Sequence, residues 1–224
     1  MSRPSGRPTN QLRVIAGQWR GRRWSFPDLP GLRPTPDRVR ETLFNWLAPV
    51  LPGARCLDLF AGSGALGIEA LSRGAAEVIF VERHPLAARA LRENLERLQA
   101  REACVEPADA LDWLRQPGRP FEIAFLDPPF GEALLEPACA ALEQGGWLAA
   151  DSWIYLEGEA ATHRPALPAS WVAHRDKIAG AVAYRLLRRR TPTLFTASVP
   201  AIPKVDAPQE KGRGESCLAP RLSR

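Results

Sequence analysis

The chain of 224 residues has little cysteine, little histidine and no long hydrophobic run. Its four cysteines are scattered without a CxxC pair and it has three histidines, so neither a zinc site nor a disulfide framework is predicted. No apolar run approaches the roughly 18 residues that a membrane-spanning helix needs. The first ten residues are polar and lack the apolar segment of a secretory signal. These absences predict a soluble cytoplasmic protein that binds neither a metal nor a membrane.

Positive charge is concentrated near the N-terminus. Residues 1–40 contain nine arginines and two aspartates, a local net charge of +7, whereas the whole chain carries +5. The remainder therefore carries about −2, which is ordinary for a globular domain. We expect the basic segment to contact phosphate groups, and the alternative is a solvated or disordered basic leader.

Composition divides the chain into four segments. Residues 1–11 are predicted to be a disordered leader, and residues 191–224, rich in Pro, Ser, Gly and charge, a disordered tail. Residues 12–36 are predicted to form a small basic β-hairpin extension that binds RNA. Residues 37–190 are predicted to form the main domain.

The hairpin extension interleaves tryptophan with arginine. Its strands are predicted at Leu12–Ala16 and Arg22–Phe26, with Trp19 and Trp24 beside several arginines. Aromatic rings next to guanidinium groups are typical of RNA-binding surfaces. The same tryptophans would equally suit packing on the main domain, and both interpretations stay open. The arginines predicted to contact RNA, here and in the next helix, are Arg13, Arg20, Arg22, Arg33, Arg38 and Arg40.

A helix is predicted to follow the hairpin. Thr35 is placed as its N-cap and Pro36 as its first helical residue, and the helix ends before Pro52. Arg38 and Arg40 fall in the first two turns, where they are predicted to bind substrate phosphates.

Strands and helices alternate from Ala54 onward. This pattern predicts an α/β fold with a doubly wound, Rossmann-like, mostly parallel sheet and an antiparallel C-terminal hairpin. The strands are predicted at Ala54–Leu59, Val78–Glu82, Cys104–Glu106, Phe121–Leu126, Ser152–Glu157, Val172–Ile178 and Ala181–Leu187.

Acidic residues follow or end four of these strands: Asp58, Glu82, Asp109 and Asp127. Open α/β sheets bind ligands outside the carboxyl ends of their strands. After the first strand, Gly62, Gly64 and Gly67 spell GxGxxG, which alone would also fit a nicotinamide-dependent oxidoreductase. An acid before the glycine turn favours a ligand with a cationic head, as S-adenosylmethionine has.

Each acid has a predicted part in holding this cofactor. Asp58 faces the ammonium group, Glu82 accepts from the ribose hydroxyls and Asp109 accepts from the adenine amino group. The predicted cofactor-binding residues are Asp58, Phe60, Gly62, Ser63, Gly64, Glu82, Arg83, Asp109 and Ala110.

The stretch Asp127-Pro128-Pro129-Phe130 follows the fourth strand. Two prolines remove two backbone donors, which leaves the carbonyls of Asp127 and Pro128 to accept from another group. An acid, free carbonyls and an aromatic ring suit a planar group with an exocyclic NH₂. These four residues are the predicted catalytic residues, and the alternative is a simple Pro-Pro turn.

These motifs together resemble class I S-adenosylmethionine-dependent methyltransferases that methylate amino groups. The stretch Arg33–Trp46 resembles, more narrowly, the RsmD family, and the likeness covers about Leu12 to Arg190. Further segments that fit this family are Leu12–Gly17, Gly146–Ala149, Ile154–Glu157 and Ala179–Arg185. The resemblance implies methylation of a guanine N2 in bacterial 16S ribosomal RNA. The implied partner is this RNA, the small ribosomal subunit or its assembly intermediate.

Three rival functions remain at this stage. DPPF-like tetrads also serve adenine-N6 methyltransferases that act on RNA or DNA. A nicotinamide-dependent oxidoreductase is disfavoured by Asp58 and by a tetrad with no use in hydride transfer. An RNA-binding or assembly factor on a methyltransferase fold would be expected to have lost the cofactor acid or the tetrad, and the sequence keeps both.

Overall fold

The fold is built on one seven-stranded sheet, and this computed structural model describes residues 9–32, 34–160 and 165–190. A separate N-terminal hairpin consists of β1 (Thr9–Arg13) and β2 (Arg23–Pro27). The strands of the sheet are β3 (Arg55–Asp58), β4 (Glu77–Val81), β5 (Ala103–Glu106), β6 (Phe121–Leu126), β7 (Leu148–Glu159), β8 (Trp171–Ala179) and β9 (Val182–Arg190). The helices are α1 (Asp37–Leu47), α2 (Ala65–Ser72), α3 (Pro85–Leu98), α4 (Ala110–Trp113) and α5 (Leu135–Gln144).

The strand order is β5-β4-β3-β6-β7-β9-β8. Strands β3 to β7 are parallel, and β8 and β9 pair antiparallel at one side. The chain winds outward from β3 in one direction, then crosses back to place β6 on its other side. A switch point of this kind opens a crevice at the carboxyl ends of the strands. The predicted doubly wound sheet with an antiparallel hairpin is confirmed.

Strand β6 is apolar except at Glu122, which pairs with Arg55, and cores on both faces of the sheet explain this composition. Ile123 and Phe125 enter one core, which includes residues of α1, α2 and α3, and Ala124 and Leu126 enter the other, with residues of α4 and α5. Alternation along a strand sends successive side chains to opposite faces, so a parallel strand covered on both sides is apolar over most of its length. None of the helices in the described segments is long and apolar enough to cross a membrane.

The C-terminal part of β7 extends past its parallel neighbour. The last pair between β6 and β7 is Leu126 with Leu156, whereas β7 continues to Glu159 and pairs there with β9 alone. The predicted strand Ser152–Glu157 was therefore too short at both ends. The extra residues are held by the antiparallel β9, which sequence periodicity did not reveal.

The N-terminal hairpin begins and ends elsewhere than predicted. Strand β1 starts at Thr9, inside the predicted leader, and stops at Arg13. It stops there because the amides of Ile15 and Ala16 donate to the Glu69 carboxylate, at 2.9 and 3.0 Å, and not to β2. The rest of the leader (1–8) and the tail (191–224) lie outside the described residues.

Both hairpin tryptophans are buried against the main domain. Trp19 and Trp24 are 8% and 3% exposed, and the Trp24 indole donates to the Ser63 carbonyl at 2.8 Å. Gly17, with φ +85°, lies so close to α2 that an added Cβ would stand 1.8 Å from the Ser72 carbonyl oxygen. The packing alternative for these tryptophans is thus the one observed, and their rings do not present a stacking surface for RNA.

A buried carboxylate, Glu69 of α2, joins the hairpin to the sheet domain. Besides the two hairpin amides it accepts from Arg73 Nε at 2.7 Å, and Arg40 lies 3.7 Å away. Arg40, predicted to contact RNA, is itself fully buried and donates to Asp37 at 2.6 Å. Its guanidinium therefore balances the negative charges of Glu69 and Asp37, and it cannot reach a phosphate from this position.

Replacement of Glu69 by glutamine should destabilise the fold by about 3–5 kcal/mol. The amide would leave Arg40 without its buried counter-charge and turn an NH₂ group towards other donors. The free energy of unfolding from urea titration measures the effect. The control is Glu93→Gln, which breaks an exposed pair with Arg89 also four residues apart and should cost about 0.5 kcal/mol or less. Equal losses in the two variants would contradict the structural role given to Glu69.

Candidate active site

Five acids lie along the carboxyl edge of the parallel strands. Asp58 ends β3, and the others follow β4, β5 and β6 or lie near the end of β7: Glu82, Asp109, Asp127 and Glu157. Strand topology brings the four acids predicted from sequence to one edge and adds Glu157, which was not predicted. Among the described residues, no three His, Cys, Asp or Glu side chains are grouped so as to hold a metal ion.

The first two acids hold the glycine turn in place. Asp58 accepts from the Gly67 amide at 3.0 Å, and Glu82 accepts from the amides of Gly62 and His84, both at 2.7 Å. Backbone amides can satisfy a buried carboxylate without a cation. The structure therefore gives these acids a positioning role beside the predicted cofactor contacts.

The three glycines of the turn serve different needs. Gly64 has φ +78°, and an added Cβ would stand 2.4 Å from Leu91. At Gly67 a Cβ would stand 2.1 Å from the Phe80 ring, so this glycine lets α2 pack on β4. At Gly62 nothing lies closer than 3.9 Å. The backbone at Gly62 is thus the part of the turn that a ligand can approach, which fits a nucleoside cofactor at this edge.

The remaining predicted cofactor residues are placed around the same edge, with partners of their own. Asp109 caps α4 by accepting from the Leu111 amide at 2.9 Å, and the following Ala110 is buried. Arg83 is exposed and forms a two-bond ion pair with Glu132, at 2.6 and 2.9 Å.

Phe60 and Ser63 belong to the glycine turn itself. Phe60 is half-buried and packs against the core that contains α4 and α5. Ser63 is buried, and its carbonyl receives the Trp24 indole described above. The side chain of Ser63 is therefore less available to a ligand than the sequence indicated.

Asp127 and the residues after it form the second half of the site. Asp127 is half-buried, Pro128 is buried, and Phe130 is 44% exposed, a large value for an aromatic ring. Asp127 Oδ2 accepts from the Thr35 hydroxyl at 3.2 Å. Desolvation, followed by the negative charge of Glu157, raises the pKa of Asp127 well above its usual value, and the Thr35 hydrogen bond opposes this shift.

Thr35 is not the helix cap that the sequence predicted. Helix α1 begins at Asp37, Pro36 occupies the N-cap position, and no side chain caps the helix there. Thr35 is instead 3% exposed, with its hydroxyl directed at Asp127 across 92 positions of sequence. The local sequence, a Thr-Pro pair before a helix, is the same whether the threonine caps the helix or bonds to a distant residue. Only the tertiary contact with Asp127 distinguishes the two roles.

Glu157 is a buried acid at the candidate site that was not among the residues predicted from sequence. It is 4% exposed, and Tyr155 donates its hydroxyl to Oε2 at 2.7 Å. Burial raises the pKa of Glu157, whereas hydrogen bonding from Tyr155 and Thr35 lowers it. The available signal was an acid near the end of a predicted strand, the same signal that identified the other four.

A cavity of about 560 Å³ lies beside Asp127. It is bounded by the loop after β6 and by the β8–β9 hairpin, and its lining includes Pro128, Phe130, Leu135, Glu157, Ile178 and Arg185. Ile178 is 66% exposed, so the outer wall is apolar and open to solvent. The cavity is large enough for a nucleobase and part of its backbone.

The arginines predicted to bind RNA divide into three groups. Arg13, Arg20, Arg22 and Arg38 are exposed, on the hairpin or at the start of α1. Arg13 lies 3.7 Å from Asp37, and Arg22 donates to the Arg97 carbonyl at 2.8 Å. Arg40 is buried, as described above, and Arg33 lies outside the described residues.

Replacement of Asp58 by asparagine should flatten the pH dependence of stability. Burial, partly offset by the Gly67 amide and reinforced by the charge of Glu82, raises the pKa of Asp58 to about 7. The contribution of protonated Asp58 to the free energy of unfolding is therefore complete below the unfolded pKa of about 4, and it is lost as the pH rises towards 7.

Between pH 5 and pH 8 the variant should gain roughly 2–3 kcal/mol relative to the parent protein, at about 1.4 kcal/mol per pKa unit. Urea unfolding at both pH values measures this difference. Asp112→Asn, at an exposed site of the same charge, is the control and should follow the parent. If the free energy of unfolding changed equally between pH 5 and pH 8 in all three proteins, the raised pKa of Asp58 would be refuted.

Comparison with known proteins gives a consistent result. Residues 12–188 match the model of a protein family described as "Conserved hypothetical protein 95". Ribosomal RNA small subunit methyltransferase D of Escherichia coli strain K12 is 52% identical over 189 residues, which are 84% of this chain and 96% of that protein. The protein of the same name from Haemophilus influenzae is 45% identical over 181 residues, covering 79% of this chain and 93% of that protein.

Solved structures agree with this result. The structure of yhhF from Escherichia coli superposes with a TM-score of 0.77 at 50% identity and covers 81% of this chain and 99% of that one. A structure from Haemophilus influenzae gives a TM-score of 0.71 at 41% identity, with 81% and 100% covered. The likeness spans both the glycine turn and the Asp127 tetrad, and the resemblance found in the sequence is confirmed. The chain belongs to the RsmD family of methyltransferases.

Proposed function

We propose that the protein transfers a methyl group from S-adenosylmethionine to the exocyclic N2 of a guanine in 16S ribosomal RNA. The observation that carries the proposal is that Asp127-Pro-Pro-Phe130 follows β6, next to the strand that leads into the glycine turn, and that Pro128, Pro129 and Phe130 line a base-sized cavity. Relatives named ribosomal RNA small subunit methyltransferase D support the substrate. The partner is this RNA, within the small subunit or its assembly intermediate, and the protein works in the cytoplasm.

The edge formed by β3, β4 and β5 suits S-adenosylmethionine. Asp58 and Glu82 place two carboxyl groups near a turn whose Gly62 backbone is open, and a cationic group of the cofactor would favour the ionised form of an acid beside it. Glu82 would hold the ribose and Asp109 the adenine. The cofactor supplies an electrophilic methyl group on a good leaving group. The protein's own contribution is to place the acceptor nitrogen in line with that methyl.

Asp127 and Pro128 are assigned to the acceptor amine. The lone pair of an exocyclic amine is delocalised into the ring, so the nitrogen is a poor nucleophile. Acceptance of its two N–H bonds by the Asp127 carboxylate and the Pro128 carbonyl would favour a pyramidal nitrogen. Alignment of well-placed reactants can supply roughly 7–11 kcal/mol. After the new C–N bond has formed, the nitrogen releases a proton, which the Asp127 carboxylate can accept.

Phe130 is assigned to the base itself. A base must leave its stack to enter such a pocket, and flipped bases are usually held between aromatic or apolar side chains. Phe130 and Ile178, both exposed, line the cavity from the loop after β6 and from the β8–β9 hairpin. The pair suits one planar ring.

Arg13, Arg20, Arg22 and Arg38 are assigned to the RNA backbone. They are exposed on the hairpin and at the start of α1, whereas the neighbouring tryptophans are buried. The hairpin would therefore hold RNA by charge and not by stacking. Contacts of this kind position a substrate and carry little sequence information.

The variant Asp127→Ala should lose at least about 100-fold in kcat because the amine loses its acceptor. Binding of S-adenosylhomocysteine, measured by calorimetry, should stay within about threefold, since the cofactor edge is intact. The matched control is Asp151→Ala, which removes a surface acid of β7 that pairs with Arg188 of β9, and it should keep full activity. Methyl transfer is measured from labelled cofactor to small subunits that lack the modification.

Nucleoside analysis of the labelled product completes this test. N2-methylguanine supports the proposal, whereas N6-methyladenine would replace it with the adenine-directed alternative. Full turnover by the alanine variant would remove Asp127 from the mechanism.

The double variant Arg13→Ala, Arg20→Ala should bind ribosomal substrate with a weaker salt dependence. Each lost phosphate contact lowers the slope of log K against log salt concentration by roughly 0.7–0.9. Filter binding at several salt concentrations measures this slope. The double variant Arg89→Ala, Arg115→Ala, at two other exposed arginines, is the charge-matched control. An unchanged slope in the double variant would exclude these two arginines from the interface.

A further inference from the structure

Glu157 lies beside Asp127 because of the register of the two strands. Leu126 of β6 pairs with Leu156 of β7, so the next residues, Asp127 and Glu157, stand side by side at the edge of the sheet. In-register residues of neighbouring strands face the same side. Glu157 also lines the cavity next to Pro128 and Phe130, although its side chain is almost fully buried.

Among the described residues, the side chains that donate to these two carboxylates are the hydroxyls of Thr35 and Tyr155. Thr35 has a single hydroxyl proton, which it directs at Asp127 while it also interacts with Glu157. Tyr155 supplies one further hydrogen bond, to Glu157 Oε2. Burial raises the pKa of both acids in the free protein, and N–H donors from a ligand would favour their ionised forms. An ionised carboxylate has about four lone-pair sites. Two neighbouring acids of this kind fit a ligand edge that presents adjacent N–H donors.

The Watson–Crick edge of guanine is such an edge. Its N1–H donor stands next to the N2 amino group, whereas the N1 of adenine is an acceptor next to the N6 amino group. A carboxylate opposite N1 is therefore attractive towards guanine and repulsive towards adenine. Specificity of this kind combines a contact to the correct base with a penalty for the wrong one.

We propose that Glu157 selects the acceptor base by accepting a hydrogen bond from guanine N1–H while Asp127 accepts from the neighbouring N2 amino group. Tyr155 holds the Glu157 carboxylate in position by its bond to Oε2. This inference deepens the guanine-N2 function proposed above and rests on it. Glu157 is thus a specificity-determining residue at the floor of the cavity, and Asp127 remains the residue at the reacting nitrogen.

The test uses an RNA in which the mapped target guanine is replaced by 2-aminopurine. This base keeps the amino group at position 2 but has an acceptor at N1 and lacks O6, so the comparison with Glu157→Gln below assigns the difference to the contact at N1. The full-length enzyme should methylate guanine about 10- to 100-fold faster than 2-aminopurine in kcat/KM, the range for one good base contact. The RNA is assembled into small subunits so that the substrate is otherwise unchanged.

The variant Glu157→Gln should reverse this preference. The glutamine amide can donate to the N1 acceptor of 2-aminopurine, so the guanine to 2-aminopurine ratio should fall to about one or below. Glu136→Gln, which changes an exposed acid on another wall of the same cavity, is the control and should keep the parent ratio. Thermal unfolding and S-adenosylhomocysteine binding check that each variant is folded.

The outcomes separate the inference from the function on which it rests. If the parent enzyme methylates no guanine N2 in either RNA, the proposed function fails. If it methylates guanine and 2-aminopurine equally, the function stands and the role of Glu157 is overturned, whatever the folding of the variants. A ratio in Glu157→Gln equal to that of the parent also overturns it.

Discussion

Crowding of carboxylates along one edge is the constraint on which the rest of this structure depends. Five parallel strands bring Asp58, Glu82, Asp109, Asp127 and Glu157 together, and like charges in a low-dielectric setting are unfavourable. Each acid accepts hydrogen bonds from neutral donors. Backbone amides in and beside the glycine turn donate to Asp58 and Glu82, and helix amides donate to Asp109. Hydroxyl groups donate to Asp127 and Glu157. The two halves of the edge differ in this respect. Backbone amides hold the half that is proposed to bind the cofactor, whereas among the described residues the hydroxyls of Thr35 and Tyr155 hold the half that is proposed to bind the acceptor base.

The N-terminal hairpin belongs to the same arrangement. Its indole holds the glycine turn at Ser63, and Thr35, just after it, reaches Asp127. The segment that was expected to be an appendage for RNA is therefore also part of the support for both halves of the site. The exposed arginines of the hairpin remain the residues that are proposed to contact the RNA backbone. One face of the hairpin thus packs on the core, and the other is proposed to bind the substrate.

Sequence alone predicted the alternation of strands and helices, the four strand-end acids and the Asp127 tetrad, because these depend on local periodicity and on topology that follows from it. It did not predict that Thr35 bonds to Asp127 and does not cap α1, or that Arg40 is buried beside Glu69. Both depend on contacts between residues far apart in the chain. It also left the tryptophans undecided, since an aromatic beside an arginine has the same pattern whether it faces solvent or core. Glu157 was within reach, since the predicted strand ended at this residue, but its proximity to Asp127 depends on the register between β6 and β7.

The part of β7 that extends past β6 lines the cavity. Beyond Leu156 the strand runs three residues further, paired with β9, which corresponds to about 10 Å of strand. These residues, Glu157 to Glu159, all line the cavity. This wall is therefore held by a ladder of backbone hydrogen bonds and is not a loop. Because side chains alternate along a strand, insertion or deletion of one residue there would turn every later side chain of the wall to the opposite face.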